Sequence, residues 1–258
     1  MAETQMSVNL IAHTQLSDGF YDSLDIYNEF IEYEGNQFDR WRATDAQAVA
    51  LSAIRTCYSA NKPSEIVATE GERYFGNTAS DGEGGTEADR LFRHITRSGH
   101  TSTLEHLSFT FAVEGVSRAL LAQLTRHRVG FSYSVQSQRY VRMGSSDKSG
   151  GFDYVVPPSI REKEPGAMAV YKASMRALQQ DYDTLRELSV PPEDARMALP
   201  NAAATNILMT VNLRALLDFY AKRKGGRGSQ WEIAELAERL RKEVTKVEPW
   251  LEPYFDAV

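Results

Sequence analysis

The stretch TRHRVGFSYSVQSQRYV, residues 125–141, concentrates side chains that could do chemistry. Arg126, His127 and Arg128 stand in a row, hydroxyls and amides follow at Ser132, Tyr133, Ser134, Gln136, Ser137 and Gln138, and Arg139 and Tyr140 close the run. Guanidinium forks suit phosphates because two N–H groups meet two oxygens. On a helix ending near Arg128, Gln123 and Arg126 share a face while Arg128 leaves in another direction. Such a helix end offers one arginine to each of two ligands. Cations at a helix C-terminus are also favourable with no ligand at all, because they face the negative end of its dipole. The residues by themselves leave both roles open.

Two further groups stand out. His94, His100, His106 and His127 fall close together in sequence. A zinc site needs ligands at close helical or hairpin spacing, usually with a carboxylate or thiolate, and that pattern is missing. Buried or hydrogen-bonded structural roles are expected for His94 and His106. His100, in SGHTSTLEH, lies just past a helix end among small polar residues and is placed to touch a ligand. In TVNLRALLDFYAKRKGGRGSQWE, Asn212, Arg214, Asp218 and Arg223 are polar positions on a helix that otherwise buries leucines. Asp218 and Lys222 can pair at i,i+4 on a surface; Arg223 precedes a Gly-rich bend and can point into a cleft. Cys57, the single cysteine, excludes an intrachain disulfide; it has no base beside it and is expected to pack as a small hydrophobe. Ser137 also lacks a base, and an unassisted hydroxyl is a weak nucleophile, so binding is its expected role.

The chain that must position these groups has 258 residues, 42% hydrophobic and 25% charged, as in an ordinary globular protein. A net charge of −6 and a pI near 5.5 weigh against a general nucleic-acid binder. Positive charge is local, in residues 125–141 and in KRKGGRG, which suits a small anionic ligand. No charged n-region precedes an apolar core at the N-terminus, and no apolar run has membrane-spanning length. A soluble, cytoplasmic protein without nucleic-acid or membrane partners is expected. Neither a G-x-G-x-x-G fingerprint nor a P-loop is present.

MSVNLIAHT reads as a strand, and Thr44 caps a helix reaching about Tyr58. Asn61 to Gly85 is polar, ends in DGEGG, and is expected to be mostly loop. Thr86 with Asp89 starts a helix that stops near Gly99. HLSFTFAV alternates as a half-buried strand, with Leu107, Phe109, Phe111 and Val113 on one face. Ser117 to Arg128 returns to helical spacing, and YVRMG and FDYVVPP read as short strands. A long helix is expected from Gly166 to about Ser189, a helical turn at EDARMAL, and a helix capped by Asn212. Ser229 with Glu232 spells a capping box before the final helix. The outline is α+β, with helices dominant after residue 160, no strict strand–helix alternation, and one domain over residues 1–258.

Taken together, the residues resemble the flavin-dependent thymidylate synthases, the thymidylate synthase-complementing family. RHRVGFSYSVQSQRY is similar to that family's Arg-His-Arg triplet followed by a polar segment ending in Ser-x-Arg-Tyr. SGHTSTLEHLSFTF resembles its Gly-His-x-Thr-x-x-Glu-His stretch, ARMALPNAAATNILMTVNLRALLDFYAKR its Ala-Arg-x-x-Leu-Pro … Asn-x-Arg helix, and SQWEI its Ala-Gln-Trp-Glu. The resemblance covers most of Gly99 to Ile233, in order. It implies a mainly antiparallel sheet packed by helices, in a homotetramer with each FAD between subunits. It implies reductive methylation of dUMP to dTMP, with methylenetetrahydrofolate as carbon donor and NADPH as reductant, in de novo thymidylate synthesis.

Residue by residue, the resemblance assigns Arg126, His127 and Arg128, with Ser102, Asn212 and Arg214, to the flavin. It assigns Gln123, Arg126, Gln136, Ser137, Gln138, Arg139 and Arg196 to the nucleotide. Arg223 matches the arginine that contacts and activates the uracil ring, and His100 a histidine near the flavin that affects turnover. Val135 stands where Glu or Gln is common, which leaves a backbone contact to nucleotide and flavin. Asp218 stands at a flavin position where Asn or His is usual, and Ser102 keeps only the hydroxyl of the family's threonine. The triplet-to-Ser137 segment is one residue longer than the shortest form, through Gly130, and KRKGGRGSQWE is longer than the commonest spacing.

Methylating uracil at C5 requires electron density there. A cysteine adduct at C6 would supply it, but this chain offers only Cys57. Cationic and hydrogen-bond donors that stabilise negative charge on the pyrimidine supply it otherwise, and Arg223 suits that role. Two rival classes stand beside this one. A binding module would lay a nucleotide or RNA on Arg126, Arg128, Tyr133 and Tyr140, and flavin colour would separate it from the enzyme. A metal hydrolase would use the histidines, and metal analysis would reveal it.

Overall fold

The computed structural model describes residues 1–26, 43–163, 165–226 and 228–257. In chain order, β1 (Glu3–Thr4), β2 (Ser7–His13), α1 (Asp18–Ile26), α2 (Asp45–Thr56), α3 (Ile66–Phe75) and α4 (Glu87–Arg97) lead to β3 (Ser108–Ser117). Next come α5 (Arg118–Leu124), β4 (Phe131–Val135), β5 (Tyr154–Val155), α6 (Pro158–Arg161), α7 (Pro165–Glu187) and α8 (Pro192–Ala195). β6 (Ala204–Asn212), α9 (Leu213–Arg223), α10 (Trp231–Val247) and α11 (Glu252–Asp256) complete the chain. The result is a mixed helix-and-sheet protein with an antiparallel sheet.

Period-two alternation builds that sheet, whose order is β2-β3-β6-β4. In β3, Phe109, Phe111 and Val113 are buried; in β6, Thr205, Ile207, Met209 and Val211 are buried while Asn206 and Leu208 are exposed. Burying one such Phe or Leu contributes roughly 1.5–3 kcal/mol. Gly115 has φ +68°, and a Cβ there would stand 2.5 Å from the Gln5 carbonyl oxygen, so the close approach of β3 to the preceding strand segment requires glycine. β4 and β6 are absent from the elements expected above. The expected strand at YVRMG does not form; that segment is irregular.

The chain divides into two compact units. One comprises Met1–Ile11, Phe111–Thr210 and Lys222–Leu240. Its core gathers Met143, Phe152, Tyr154 and Val156 with Met175 and Tyr182 of α7. Buried Gln179 holds the loop before β5, donating to the Met143 carbonyl (2.8 Å) and accepting from the Phe152 amide (2.9 Å).

The other comprises Ala12–Thr110, Val211–Ala221 and Arg241–Val258. Thr44 opens α2 and Thr86 opens α4 with capping boxes, completed by Gln47 and Asp89. Residues 61–85 are not mostly loop. α3 forms there because Ile66, Val67, Tyr74 and Phe75 share a buried face, although glutamates and arginines surround them in sequence. One of those glutamates is an anchor. Glu70 accepts from Arg55 Nε at 2.6 Å, from Ser59 Oγ at 2.5 Å and from Asn61 Nδ2 at 3.0 Å.

Burial works to raise the Glu70 carboxyl, but the bonds from Ser59, Arg55 and Asn61 outweigh it and hold the group below the ordinary carboxylate range. A carboxyl lowered by folding contributes stability that is complete above its unfolded pKa and lost as pH falls through its folded one. Glu70→Gln is therefore expected to cost about 2 kcal/mol at neutral pH. The difference from wild type should shrink on acidification. Thermal unfolding across pH checks this, and an equal difference throughout would detach Glu70 from the acid dependence.

Candidate functional site

α5 is shorter than its apolar spacing implies. After Leu124 the chain leaves the helical ladder: Tyr133 Oη shares its one hydrogen between the carbonyls of Leu124 (3.1 Å) and His127 (2.8 Å), and the His127 amide also donates to the Leu124 carbonyl (3.0 Å). Arg126, His127 and Arg128 therefore lie in the turn into β4, which passes Gly130 at φ +74°. The expected helix to Arg128, with Gln123 and Arg126 on one helical face, is corrected accordingly. Arg126 and Arg128 are exposed; His127 is half-buried. The Tyr133 ring stacks on Phe131 at 5.7 Å, and burial pushes its phenol well above the usual range. Its hydroxyl and ring are thus engaged in holding the turn, which weighs against a base-stacking platform at this tyrosine.

The first unit brings several of the expected residues together. Arg223, at the end of α9, donates from Nε to His127 Nε2 at 3.0 Å. A guanidinium only donates, so His127 offers a lone pair at Nε2 in this geometry and is not poised as a base for Ser137. Arg139 pairs with the Glu193 carboxylate at 2.6 Å, and Arg196 Nε donates to the Glu193 carbonyl at 3.0 Å. Arg118, passed over above, joins this group: burial and the nearby Arg196 charge both lower its pKa. Its signal was the SRALL opening of the same helix.

Ser137 Oγ accepts from the Arg139 amide at 3.2 Å and shapes the turn. Gln136 is engaged with β6, donating from its amide to the Asn206 carbonyl (2.9 Å) and accepting at Oε1 from Asn206 Nδ2 (3.1 Å). Val135 ends β4 half-buried. Gln138 is 6% exposed, and its Nε2 has no hydrogen-bond partner among the described residues. A buried donor without a partner costs free energy, so this amide is suited to a ligand acceptor.

The start of α10 differs from the expected Ser229–Glu232 capping box. Gln230 Oε1 accepts from the amides of Glu232 (3.0 Å) and Ile233 (3.3 Å), and Ser229 Oγ turns to the Lys222 carbonyl. The Glu232 carboxylate is thereby released to Ser117, accepting from its amide (2.7 Å) and its hydroxyl (2.5 Å). Burial pushes the Glu232 carboxyl up, and Ser117 opposes that only in part.

The second unit holds the remaining expected residues. Leu213 donates its amide to the Leu107 carbonyl at 2.8 Å, and Arg214 Nη1 donates to Glu105 Oε1 at 2.5 Å. These contacts bring the start of α9 to the 3-10 turn Thr101–His106, which carries Ser102. Asn212 caps α9 as expected, its Oδ1 accepting from the Ala215 amide at 2.9 Å, which leaves Nδ2 to donate elsewhere. Asp218 and Ser102 are exposed. His100 is hydrogen-bonded through Nδ1 to Tyr58 Oη at 2.8 Å, with the rings stacked.

His94 and His106 are exposed, contrary to the buried or bonded roles expected, because each falls on the solvent side of its short element. Cys57 is exposed as well, contrary to packing: it is the C-cap of α2, past the buried stripe that ends at Ile54. Among the described residues no group of three or more His, Cys, Asp and Glu side chains is placed to hold a metal ion. None of the described helices is long and apolar enough to cross a membrane.

In the first unit Arg126 and Arg128 present exposed guanidinium forks of the kind that suit phosphates, and Gln138 Nε2 has no partner among the described residues; in the second, the exposed Ser102 hydroxyl and Asn212 Nδ2 are donors of the kind polar ring edges accept from. The sequence pattern of the family described as thymidylate synthase complementing protein matches residues 41–250. The chain is 40% identical over 205 residues to the flavin-dependent thymidylate synthase of Geobacter sulfurreducens, covering 80% of each chain. It is 35% identical over 224 residues to that of Clostridium tetani, covering 81% of each. Its fold is similar to a UMP/dUMP methylase from Streptomyces cacaoi bound with 5-Br dUMP, with a TM-score of 0.67, 20% identity, and 99% and 97% of the two chains covered. It is likewise similar to thymidylate synthase X from Helicobacter pylori with FAD and dUMP, with a TM-score of 0.62, 20% identity and 98% of each chain covered.

Proposed function

Because the chain belongs to the thymidylate synthase complementing family, we propose that it carries out the reductive methylation of dUMP to dTMP with FAD. Methylenetetrahydrofolate is the carbon donor and NADPH the reductant, in de novo thymidylate synthesis. When bound, FAD supplies the hydride that no side chain can. Arg126, His127, Arg128, Ser102, Asn212, Arg214, Asp218 and the Val135 backbone hold it.

Arg139 and Arg196, with Arg118 behind them, neutralise the dUMP phosphate. Gln138 donates its orphan amide to the nucleotide, and Gln123, Arg126, Gln136, Ser137 and the Val135 backbone complete the nucleotide floor. Arg223 donates to the uracil ring and stabilises the negative charge that develops on it. His100, hydrogen-bonded to Tyr58, is the histidine near the flavin that affects turnover. No protein nucleophile is assigned: Ser137 lacks a base, and His127 Nε2 already accepts from Arg223.

The observation that carries this reading is the Arg223–His127 hydrogen bond, which joins residues 96 positions apart and sets the ring-activating arginine against the Arg-His-Arg triplet. Following the family resemblance, we assign a homotetramer of single-domain subunits in the cytoplasm. The purified protein, supplied with FAD, is expected to show flavin absorbance and to form dTMP only when dUMP, methylenetetrahydrofolate and NADPH are all present. No flavin absorbance and no quenching of added FAD fluorescence would overturn the assignment.

A further inference from the structure

We infer that Glu232 is a positioning residue: its buried carboxylate, fastened to Ser117, fixes the segment carrying Arg223 against the segment carrying Gln123 and Arg126. The inference rests on the function proposed above. Glu232 is 2% exposed and Ser117 4%. The carboxylate takes both Ser117 donors, at 2.7 and 2.5 Å, while Ser117 Oγ accepts from the Leu120 amide at 3.0 Å as the cap of α5.

Neither helix start needs this carboxylate as its cap. Ser117 Oγ serves α5, and Gln230 Oε1 serves α10. A buried carboxylate is costly unless its bonds accomplish something else. What these bonds accomplish is a second tie. The segment from Arg223 to Glu232 is joined to the α5 segment at both of its ends: Arg223 to His127 beyond the helix, and Glu232 to Ser117 before it. Between the ties lie Gly225, Gly226 at φ +86° and Gly228 at φ +75°. The Glu232 tie anchors one end of this connection to the α5 segment and the His127 bond anchors the other, Arg223 itself being that other end.

Glutamine keeps the length of the side chain but replaces one acceptor oxygen by a donor, so it can satisfy only one of the two Ser117 donors. Glu232→Gln is expected to keep bound FAD and to leave KM for dUMP nearly unchanged. Its kcat should fall on the order of tenfold, because loss of alignment acts on the transition state. In an Arg223→Ala background the same substitution should add little, since the arginine it positions is gone. Ser117→Ala should reproduce the pattern in weaker form, and it carries the test if Glu232→Gln fails to fold.

Steady-state kinetics of wild type, both single variants and the double variant decide it, with dUMP binding followed by the change in flavin absorbance. A folded, flavin-bound Glu232→Gln enzyme with wild-type kcat would overturn the inference. So would a full-sized drop that persists without Arg223. Wild type that neither binds dUMP nor forms dTMP would instead overturn the function itself, and this inference with it.

Discussion

Replacing Arg223 by alanine is expected to cut dTMP formation about a hundredfold or more while FAD remains bound, the scale of one lost transition-state donor. Electron density at C5 of uracil rises only if the ring can carry negative charge, and this chain places no cysteine to create it by addition. Cys57 lies exposed at the end of α2. Arg223 is half-buried and held by His127, so its guanidinium is oriented before substrate arrives. Lysine in its place would keep the charge and lose the fork, and should restore only part of the rate. Single-turnover dTMP formation, with the flavin spectrum as the binding control, measures both. Near-normal turnover of the alanine variant would remove Arg223 from the chemistry.

The second large effect concerns the phosphate. Arg139→Ala and Arg196→Ala should each weaken dUMP binding by about ten- to a hundredfold, the range of a charge-assisted hydrogen bond. Deoxyuridine, which lacks the phosphate, should bind each variant as it binds wild type. Glu193→Gln should act in the opposite direction. Its carboxylate sits on Arg139 at 2.6 Å, with the two side chains 56% and 46% exposed. An exposed pair of that kind is worth only about 0–1 kcal/mol, so removing the competitor should tighten dUMP by up to about fivefold. That gain should fade in high salt. Equal losses for dUMP and deoxyuridine would show that these arginines do not read the phosphate.

Local features were the legible ones. Thr44, Thr86 and Asn212 sit directly before apolar stripes, and each caps the helix it announces. α7 spans Pro165–Glu187 where its long periodic pattern placed it. The alternation in ATNILMTVN was equally present in the sequence, yet β6 was missed because helical turns and the Asn212 cap frame it. α3 was missed for another reason. Its charged residues look like loop until Glu70 finds Arg55, a partner that composition cannot reveal. The capping box at Ser229 was a false signal, because Gln230 did that work and freed Glu232 for Ser117.

The site followed the same division. The resemblance supplied residue types in order. The pairings Arg223–His127, Arg139–Glu193 and Arg214–Glu105 are separations in space that no local pattern encodes. Arg118 and Glu193 each look like a solvated helical charge until the fold sets Arg118 near Arg196 and Glu193 against Arg139.

The two ties that flank α5 also order events during synthesis. Ser117 and Glu232 are 115 positions apart, and His127 and Arg223 are 96 apart. The Arg-His-Arg triplet therefore leaves the ribosome long before either partner exists. Contacts of such sequence separation form late, because the loops they close must be ordered first. A nascent chain that ends before Arg223 carries the arginines proposed to bind phosphate without the one proposed to act on the ring, and one that ends before Glu232 lacks the second tie. Translation must run past Glu232 before the proposed site can set.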